Sequence, residues 1–415
     1  MTDPVQPQSE PADSNRARSA IAMNRPSHAR HPGSLLTGLF VILFTATVDS
    51  QLLIPLLPRL SLDLTTRVSI LGLLFSVYAL AATASNLLLG PLSDHRGRIG
   101  FLRVGILLLA ATSIAAQLCQ SFWQLLLVRA AAGVAGGLLS VCTASLVGDW
   151  FSYKTRGRAV GILLSAHFTA LVLGIPLSVQ IAEHFHWRSG FLGVSLLAGV
   201  SLLLSYFVFP SRGSDSQLPR AQPGESTVHS YRVFWGDMEM RGALIVSFLT
   251  SGATLAFLAY ISGLGLSPGQ ITWLFMITGV ASIFGAPAAG WLSDRLSKRL
   301  VFLMGNTLLV VPLIFLTSAV WGGRLFWLFF SLMLLAAARQ TALQAVQTEL
   351  AGAARRGAFL GLRNGFAQLG ISCCVAASAY LFEVSGFPGV VAFTIGLTLA
   401  ATLVFFLFVP EPGSA

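Results

Sequence analysis

Gly90-Pro91-Leu92-Ser93-Asp94-His95-Arg96-Gly97-Arg98-Ile99 is a short, charge-dense stretch set between two long apolar runs. It returns 200 residues later as Gly290-Trp291-Leu292-Ser293-Asp294-Arg295-Leu296-Ser297-Lys298-Arg299. Both copies read G-x-L-S-D followed by basic residues, and each closes the second apolar run of its half. A second echo keeps the same offset, Arg156-Gly157-Arg158-Ala159 against Arg356-Gly357-Ala358. Two matches at one offset indicate an internally duplicated chain.

Working outward, the composition places both halves in a bilayer. Hydrophobic residues make up 54% and charged residues 10% of the 415 residues, with a mean hydropathy of +0.75. Soluble domains carry about 25% charged residues, so this chain has too little polar surface for two or three of them. The net charge of +10 does not mark a nucleic-acid binder, because the basic residues are spread over short loops rather than along one face. Four cysteines (Cys119, Cys142, Cys373, Cys374) lie in apolar runs without metal-ligand spacing and read as reduced packing residues. No metal or other cofactor is expected.

Catalytic motifs do not survive inspection either. Gly265-Leu266-Ser267-Pro268-Gly269 matches a G-x-S-x-G hydrolase elbow, but no histidine follows His229. Ser267, Pro268 and Gln270 instead predict a helix start with an N-cap, an N1 proline and a capping-box glutamine. No GxxxxGK[ST] phosphate loop is present, so ATP hydrolysis is not the expected engine. The chain does not read as an enzyme.

Residues 1–33 are rich in Pro, Ser and Arg without apolar periodicity and predict a disordered tail. Runs near the roughly 20 residues needed to cross a bilayer follow at 35–57, 69–92, 101–120, 122–147, 158–182 and 190–209. A Pro- and Gly-containing linker covers 211–240, and six more runs lie near 242–262, 270–292, 300–319, 325–348, 358–383 and 388–409. The expected architecture is all-α and integral to the membrane, with twelve transmembrane helices in two pseudo-symmetric bundles of six. The bundles would occupy 34–210 and 241–410, with a short tail at 411–415.

The loops fix an expected orientation. Of 26 Lys and Arg, Arg59, Arg67, Arg188 and Arg324 fall on one side and Arg129, Arg339 and Arg363 fall within spans. All the others lie on the side that holds both termini, which makes that side cytoplasmic. The expected location is the cell (inner) membrane, multi-pass, with the chain acting as a monomer.

The duplicated loop resembles the signature loop between the second and third spans of the major facilitator superfamily. Gly90 removes a side chain where two helices approach closely, while Asp94, Arg96 and Arg98 offer charges for a helix end, an acid or a lipid phosphate. The resemblance implies a latch between the halves, carried here by Gly90, Asp94, Arg96, Gly97 and Arg98 and by Gly290, Asp294 and Arg295. His95 and Ile99 depart from the basic residues of the family, leaving that latch weaker or pH-sensitive. Arg129-Ala130-Ala131-Ala132-Gly133 resembles the family's R-x-x-x-G motif, which implies a part in coupling proton movement to transport. Gly133/Gly137 and Gly136/Ser140 are small-xxx-small packing pairs. Gly174-Ile175-Pro176 is similar to a degraded antiporter motif, and Trp187-Arg188-Ser189-Gly190-Phe191 to the W-R-x-x-F turn of drug and sugar exporters.

Asp49 stands near the centre of the first span, with Thr45 one turn before it and Pro55 and Pro58 after it. This spacing looks like the first-span motif of drug:proton antiporters. A carboxylate held out of water can take up and release a proton as the site changes state. It can equally serve as a structural partner for an arginine on another helix, and the two roles are compatible. In the tenth span Arg339 precedes Gln340, and Gln344 and Gln347 share a helical face with Gln340. That stripe is expected to line water or substrate. The family arrangement would set Asp49, Arg129 and Arg339 around one central volume, with Arg339 either binding an anionic substrate or balancing Asp49. Arg363, Asn364 and Gln368 read as structural, and His167 as a hydrogen-bonded packing residue. The resemblance implies a secondary active transporter exporting a small drug-like or sugar-like molecule by proton-coupled alternating access. Uptake or facilitated diffusion of a small organic acid, and a non-transporting receptor on the same scaffold, are the other readings.

Overall fold

A computed structural model describes residues 32–151, 153–209, 234–318, 322–350 and 352–409. The expected tail at 1–33, most of the linker and the final tail therefore lie almost wholly outside the described residues. Among the described residues there is no strand, and the long apolar helices follow one another along the chain. We label them α1 (Gly33–Asp63), α2 (Val68–Gly90), α3 (Arg98–Leu118), α4 (Phe122–Trp150), α5 (Arg158–His184) and α6 (Trp187–Val208). The second half supplies α7 (Met238–Ala259), α8 (Pro268–Ser293), α9 (Lys298–Leu316) and α10 (Gly323–Leu350). A final apolar stretch, Phe359–Phe408, has 50 residues, more than twice what one crossing takes. It is two helices meeting at Gly386, whose φ of 65° only a glycine adopts readily. These are α11 (359–385) and α12 (387–408).

Several boundaries follow local chemistry. Ser267 Oγ accepts from Gln270 N at 3.3 Å while Gln270 Oε1 accepts from Ser267 N at 2.9 Å, so the capping box opens α8 as expected. Ser121 and Gln124 build the same device at the start of α4. The first span runs past its expected end near Leu57, through Pro58 to Asp63. A proline in a transmembrane helix is tolerated where neighbouring elements satisfy the freed backbone groups. In α5 the turn Ala170–Gly174 is π-helical, two residues before Pro176, whose missing N–H breaks the regular ladder.

Close helix contacts fall where small residues allow them. A Cβ on Gly133 would lie 2.2 Å from the Tyr78 carbonyl oxygen, and one on Gly137 would lie 2.6 Å from that of Ala82. The glycines of α4 thus seat that helix directly on the backbone of α2. Gly90 of α2 in turn has Val141 at 3.2 Å from its Cβ position, which agrees with the packing role read from sequence. Gly290, its counterpart, has nothing within 4 Å and plays no such part. Of the four cysteines, Cys119, Cys142 and Cys374 are buried, but Cys373 is exposed. Its position on α11 turns it away from Cys374, so the expectation of four packing cysteines holds for three.

The two halves join differently at the two ends of the bundle. At the end opposite the duplicated loops, one hydrophobic core takes residues from both halves, including Leu53, Leu57, Leu71 and Phe75 with Phe257, Ile261, Leu274 and Phe387. Tyr260 bolts it: its hydroxyl donates to the Ser69 carbonyl at 3.1 Å and fills the notch left by Gly72. Arg67 pairs with Glu383 across the same seam. At the loop end the cores are separate, one around Leu39, Leu102, Leu139 and Phe209, the other around Phe234, Phe302, Phe359 and Phe405. Between the two ends, Thr83 Oγ1 lies 3.3 Å from the Gly365 carbonyl, and Leu87 packs against the second of those cores. Because Gly133 has no room for a side chain, Gly133→Val should force α2 and α4 apart. The expected loss is about 1–3 kcal/mol, read as a lowered thermal unfolding midpoint of the purified protein.

Candidate functional site

The middle of the first bundle is built around one ion pair. Asp49 and Arg129 are each 1% exposed, and Arg129 Nη1 donates to Asp49 Oδ2 at 3.0 Å and to the Asp49 carbonyl at 3.3 Å. The guanidinium also lies over the Tyr78 ring, 4.5 Å from its centroid, in cation–π contact. Arg129 therefore does not snorkel to the surface; it crosses to α1 and stacks on α2. Its Nε and Nη2 are buried without a partner among the described residues. Nearby, Thr45 Oγ1 is 3.2 Å from Ser201 Oγ, joining α1 to α6. Gly174, at the end of the π-turn in α5, admits Val48 so closely that a Cβ there would be 2.3 Å from Val48 Cγ2. Asp49 thus sits beside a helix irregularity as well as a counterion.

The second bundle holds a different cluster. Arg339 is 3% exposed, and its Nη1 donates to Asn306 Oδ1 at 2.6 Å. Its Nη2 donates to the Thr250 carbonyl at 3.0 Å and to Thr254 Oγ1 at 2.7 Å. Asn306 is itself fixed by donating to the Thr398 carbonyl and Thr402 Oγ1, both at 2.8 Å. Asp49 and Arg339 are therefore separately enclosed, each within its own half. The expectation that they share one volume, with Arg339 balancing Asp49, is not what the structure shows. Arg129 supplies that balance, and Arg339 turns toward α7 and α9.

The glutamine stripe of α10 divides as well. Gln347 is fully buried and donates to the Ala243 carbonyl at 2.8 Å and Ser247 Oγ at 2.7 Å, a tie to α7 rather than a cavity wall. Gln340 and Gln344 are half-buried and make no hydrogen bond to Arg339. Arg363 is half-buried and donates to Asn364 Oδ1 at 2.6 Å. His167 is half-buried beside Phe168, with no hydrogen bond to its ring among the described residues.

At the loop end Arg98 pairs with Asp149 of α4, and Lys298 pairs with Glu349 of α10. Both partners keep the offset of 200, so the two bundles carry one ion pair twice. The sequence held this signal, since Asp149 and Glu349 close the fourth span of each half. Arg96 is exposed, Gly97 has φ 105°, and exposed Arg295 lies 4.0 Å from the centroid of the Trp291 ring. The side chains of Asp94 and Asp294 lie outside the described residues. At the other end Trp187 Nε1 donates to Asp63 Oδ2 at 2.7 Å and Arg188 Nη2 to the Cys119 carbonyl at 2.8 Å. The W-R-x-x-F turn thus ties α6 to α1 and to the end of α3.

Two like halves of apolar helices, each burying a cation on its fourth helix, define a polytopic membrane transporter. A sequence profile of the Major Facilitator Superfamily matches residues 39–263 and 240–415, and the chain belongs to that family. Members are transporters rather than enzymes and take small-molecule substrates within the membrane. Multidrug resistance protein MdtM of Escherichia coli O157:H7 is 27% identical over 302 residues, 68% of this chain and 72% of that protein. Multidrug resistance protein MdtG of Salmonella arizonae is 25% identical over 257 residues, 60% and 63% of the two chains. The uncharacterized MFS-type transporter YwfA of Bacillus subtilis is 30% identical over 167 residues, and the match spans 40% of each chain.

The ion pair makes a stability prediction. Arg129→Leu strands a carboxylate in an apolar interior and should cost about 3–5 kcal/mol, whereas Arg129→Leu with Asp49→Leu should recover much of it. Thermal unfolding of the single and double variants in detergent gives the comparison. Additive losses would mean that the pair does not act as a unit.

Proposed function

We propose that the protein exports a small organic molecule, drug-like or sugar-like, by alternating access, driven by protons moving inward. The observation that carries this reading is Asp49. Among the described residues every other carboxylate lies at the end of a span or in a connection, so Asp49 is the one acid there placed near the middle of a span. It is buried against Arg129, on the helix that the π-turn of α5 touches.

Protonating Asp49 would release Arg129 from its strongest partner and leave a buried cation to be met by something else. Deprotonating it would restore the pair. A substrate that binds one of these two forms better is coupled to the proton by that difference in affinity alone. The split cores at the loop end, with the opposite end sealed by Tyr260, fit a protein whose substrate path opens toward the loops. By the Lys and Arg bias that side is cytoplasmic, which makes this the inward-facing member of the cycle. Rocking about the seam would part Tyr260 from Gly72 and bring the loop-end cores together. The names of MdtM and MdtG, the W-R-x-x-F turn and the degraded motif at Gly174 all favour export.

Inverted membrane vesicles loaded with a pH-sensitive dye give the test. Adding a transported compound to energised vesicles should release protons from the lumen when the wild-type chain is present. Asp49→Asn, whose amide oxygen can still accept from Arg129, should abolish that release while the purified variant still elutes as a folded protein, with a lowered thermal unfolding midpoint. Wild-type proton release from Asp49→Asn would remove Asp49 from the mechanism. Proton movement of the opposite sense would identify symport instead of export.

A further inference from the structure

Tyr78 is the second group that meets the Arg129 guanidinium. It lies on α2, 8% exposed, with its ring centroid 4.5 Å from the guanidinium carbon. Its hydroxyl occupies the notch left by Gly136 of α4, where a Cβ would fall 2.1 Å from the oxygen. Its carbonyl fills the space that a Cβ on Gly133 would need. Two glycines about one turn apart thus fix the backbone and the tip of this residue, and hold the ring against the cation.

The guanidinium has few other partners. Among the described residues its charged partner is Asp49 Oδ2 at 3.0 Å, and the Asp49 carbonyl lies at 3.3 Å. Its Nε and Nη2 are buried and donate to nothing there. Arg339 differs, because three neutral acceptors meet it at 2.6, 3.0 and 2.7 Å. The weight of the Tyr78 ring therefore depends on the state of Asp49. While Asp49 is ionised, the ion pair dominates and the ring adds to it. Once Asp49 is protonated, its carboxyl is a neutral and weaker acceptor. The electron-rich face of Tyr78 is then the main negative surface left to a cation withdrawn from water, the setting in which a cation–π contact counts most.

We propose that Tyr78 is a positioning residue of the proton site: its ring holds Arg129 while Asp49 carries the proton, and so sets the pH at which Asp49 takes the proton up. This rests on the reading of Asp49 as the proton carrier given above. The other helices packed on α1 bring neutral groups to this segment, Ser201 of α6 against Thr45 and Gly174 of α5 against Val48. His167 of α5 lies beside Phe168. The remaining charged groups pair at the ends of the spans, Arg59 with Glu183 and Arg188 with Asp63 at one end, Arg98 with Asp149 at the other. Arg103 of α3 donates to the Ser205 carbonyl at the end of α6.

The test needs no substrate. Infrared difference spectra of the purified protein across a pH series follow the C=O stretch of protonated carboxyls, and the component missing from Asp49→Asn belongs to Asp49. In Tyr78→Leu that component should appear at a pH about one unit lower than in the wild type, because the protonated form has lost its cation–π contact. Tyr78→Phe keeps the face and should titrate as the wild type does. Tyr78→Met, apolar and adaptable in packing, takes the place of Tyr78→Leu where that variant fails to fold. Equal midpoints in the wild type and in the ringless variant would overturn the role of Tyr78 and leave that of Asp49 standing. A shift in Tyr78→Phe as large as in Tyr78→Leu would overturn it as well, since the hydroxyl would then be the active group. A wild-type spectrum without a titrating component from Asp49 would sink the proton reading itself, and this proposal with it.

Discussion

An arginine side chain inside a bilayer cannot shed its charge and cannot reach water from mid-span, so the surrounding helices must be arranged to meet it. Translocon scales put the cost of an unmet arginine near the helix centre at about 2.5–3.5 kcal/mol. Much of the packing here answers that demand. Arg129 draws α1 against α4 through Asp49 and stacks on Tyr78 of α2. Arg339 gathers α7 and α9 around α10 through Thr250, Thr254 and Asn306. Such contacts need helices close together, which is why the run after Arg129 is so rich in glycine: Gly133, Gly136 and Gly137 all press on α2. Charge and small residues are therefore two parts of one solution, since a bulkier α4 could not carry its arginine to Asp49.

This explains which features could be read from the chain. The all-helical, membrane-spanning character and the repeated loops rest on hydrophobicity and spacing, and those are properties of the linear sequence. The small-residue pairs of α4 were legible for the same reason, because a glycine stripe at helical spacing has few other uses in a membrane. What escaped was direction. Helical periodicity says that Gln340, Gln344 and Gln347 share a face, but it does not say that Gln347 is already committed to Ala243 and Ser247. Likewise Arg339 lies about 100° from that face, and only packing decides that it turns toward Asn306. Asn306 itself gave no warning, being one amide in an apolar run. The paired ions Arg98–Asp149 and Lys298–Glu349 were within reach, because the offset of 200 that exposed the loops also links their partners. Irregular backbone was harder, since Pro176 announces a break without saying that a π-turn will absorb it.

The halves are alike in fold and unlike in what they can titrate. At the loop end they repeat the same ion pair, so any latch there is shared equally. Near mid-span the symmetry fails: one arginine faces a carboxylate and the other faces an amide. A proton can therefore change the charge balance of the first bundle and has no equivalent group to act on in the second. On the proposed reading this makes the first bundle the part that responds to the gradient and the second a fixed partner against which it rocks. Val48 and Gly174 give that response a route. They bring the segment next to Asp49 into contact with the π-turn of α5, whose residue Val172 would lie 2.3 Å from a Cβ on Gly279 of α8. The titratable group is thereby two contacts from the seam between the halves, while Arg339, locked among neutral acceptors behind α7, has no such path. On that same reading Asp49 of α1 is the acid that answers the proton, and Arg339, held by neutral groups of α7 and α9, belongs to the bundle that is pushed against.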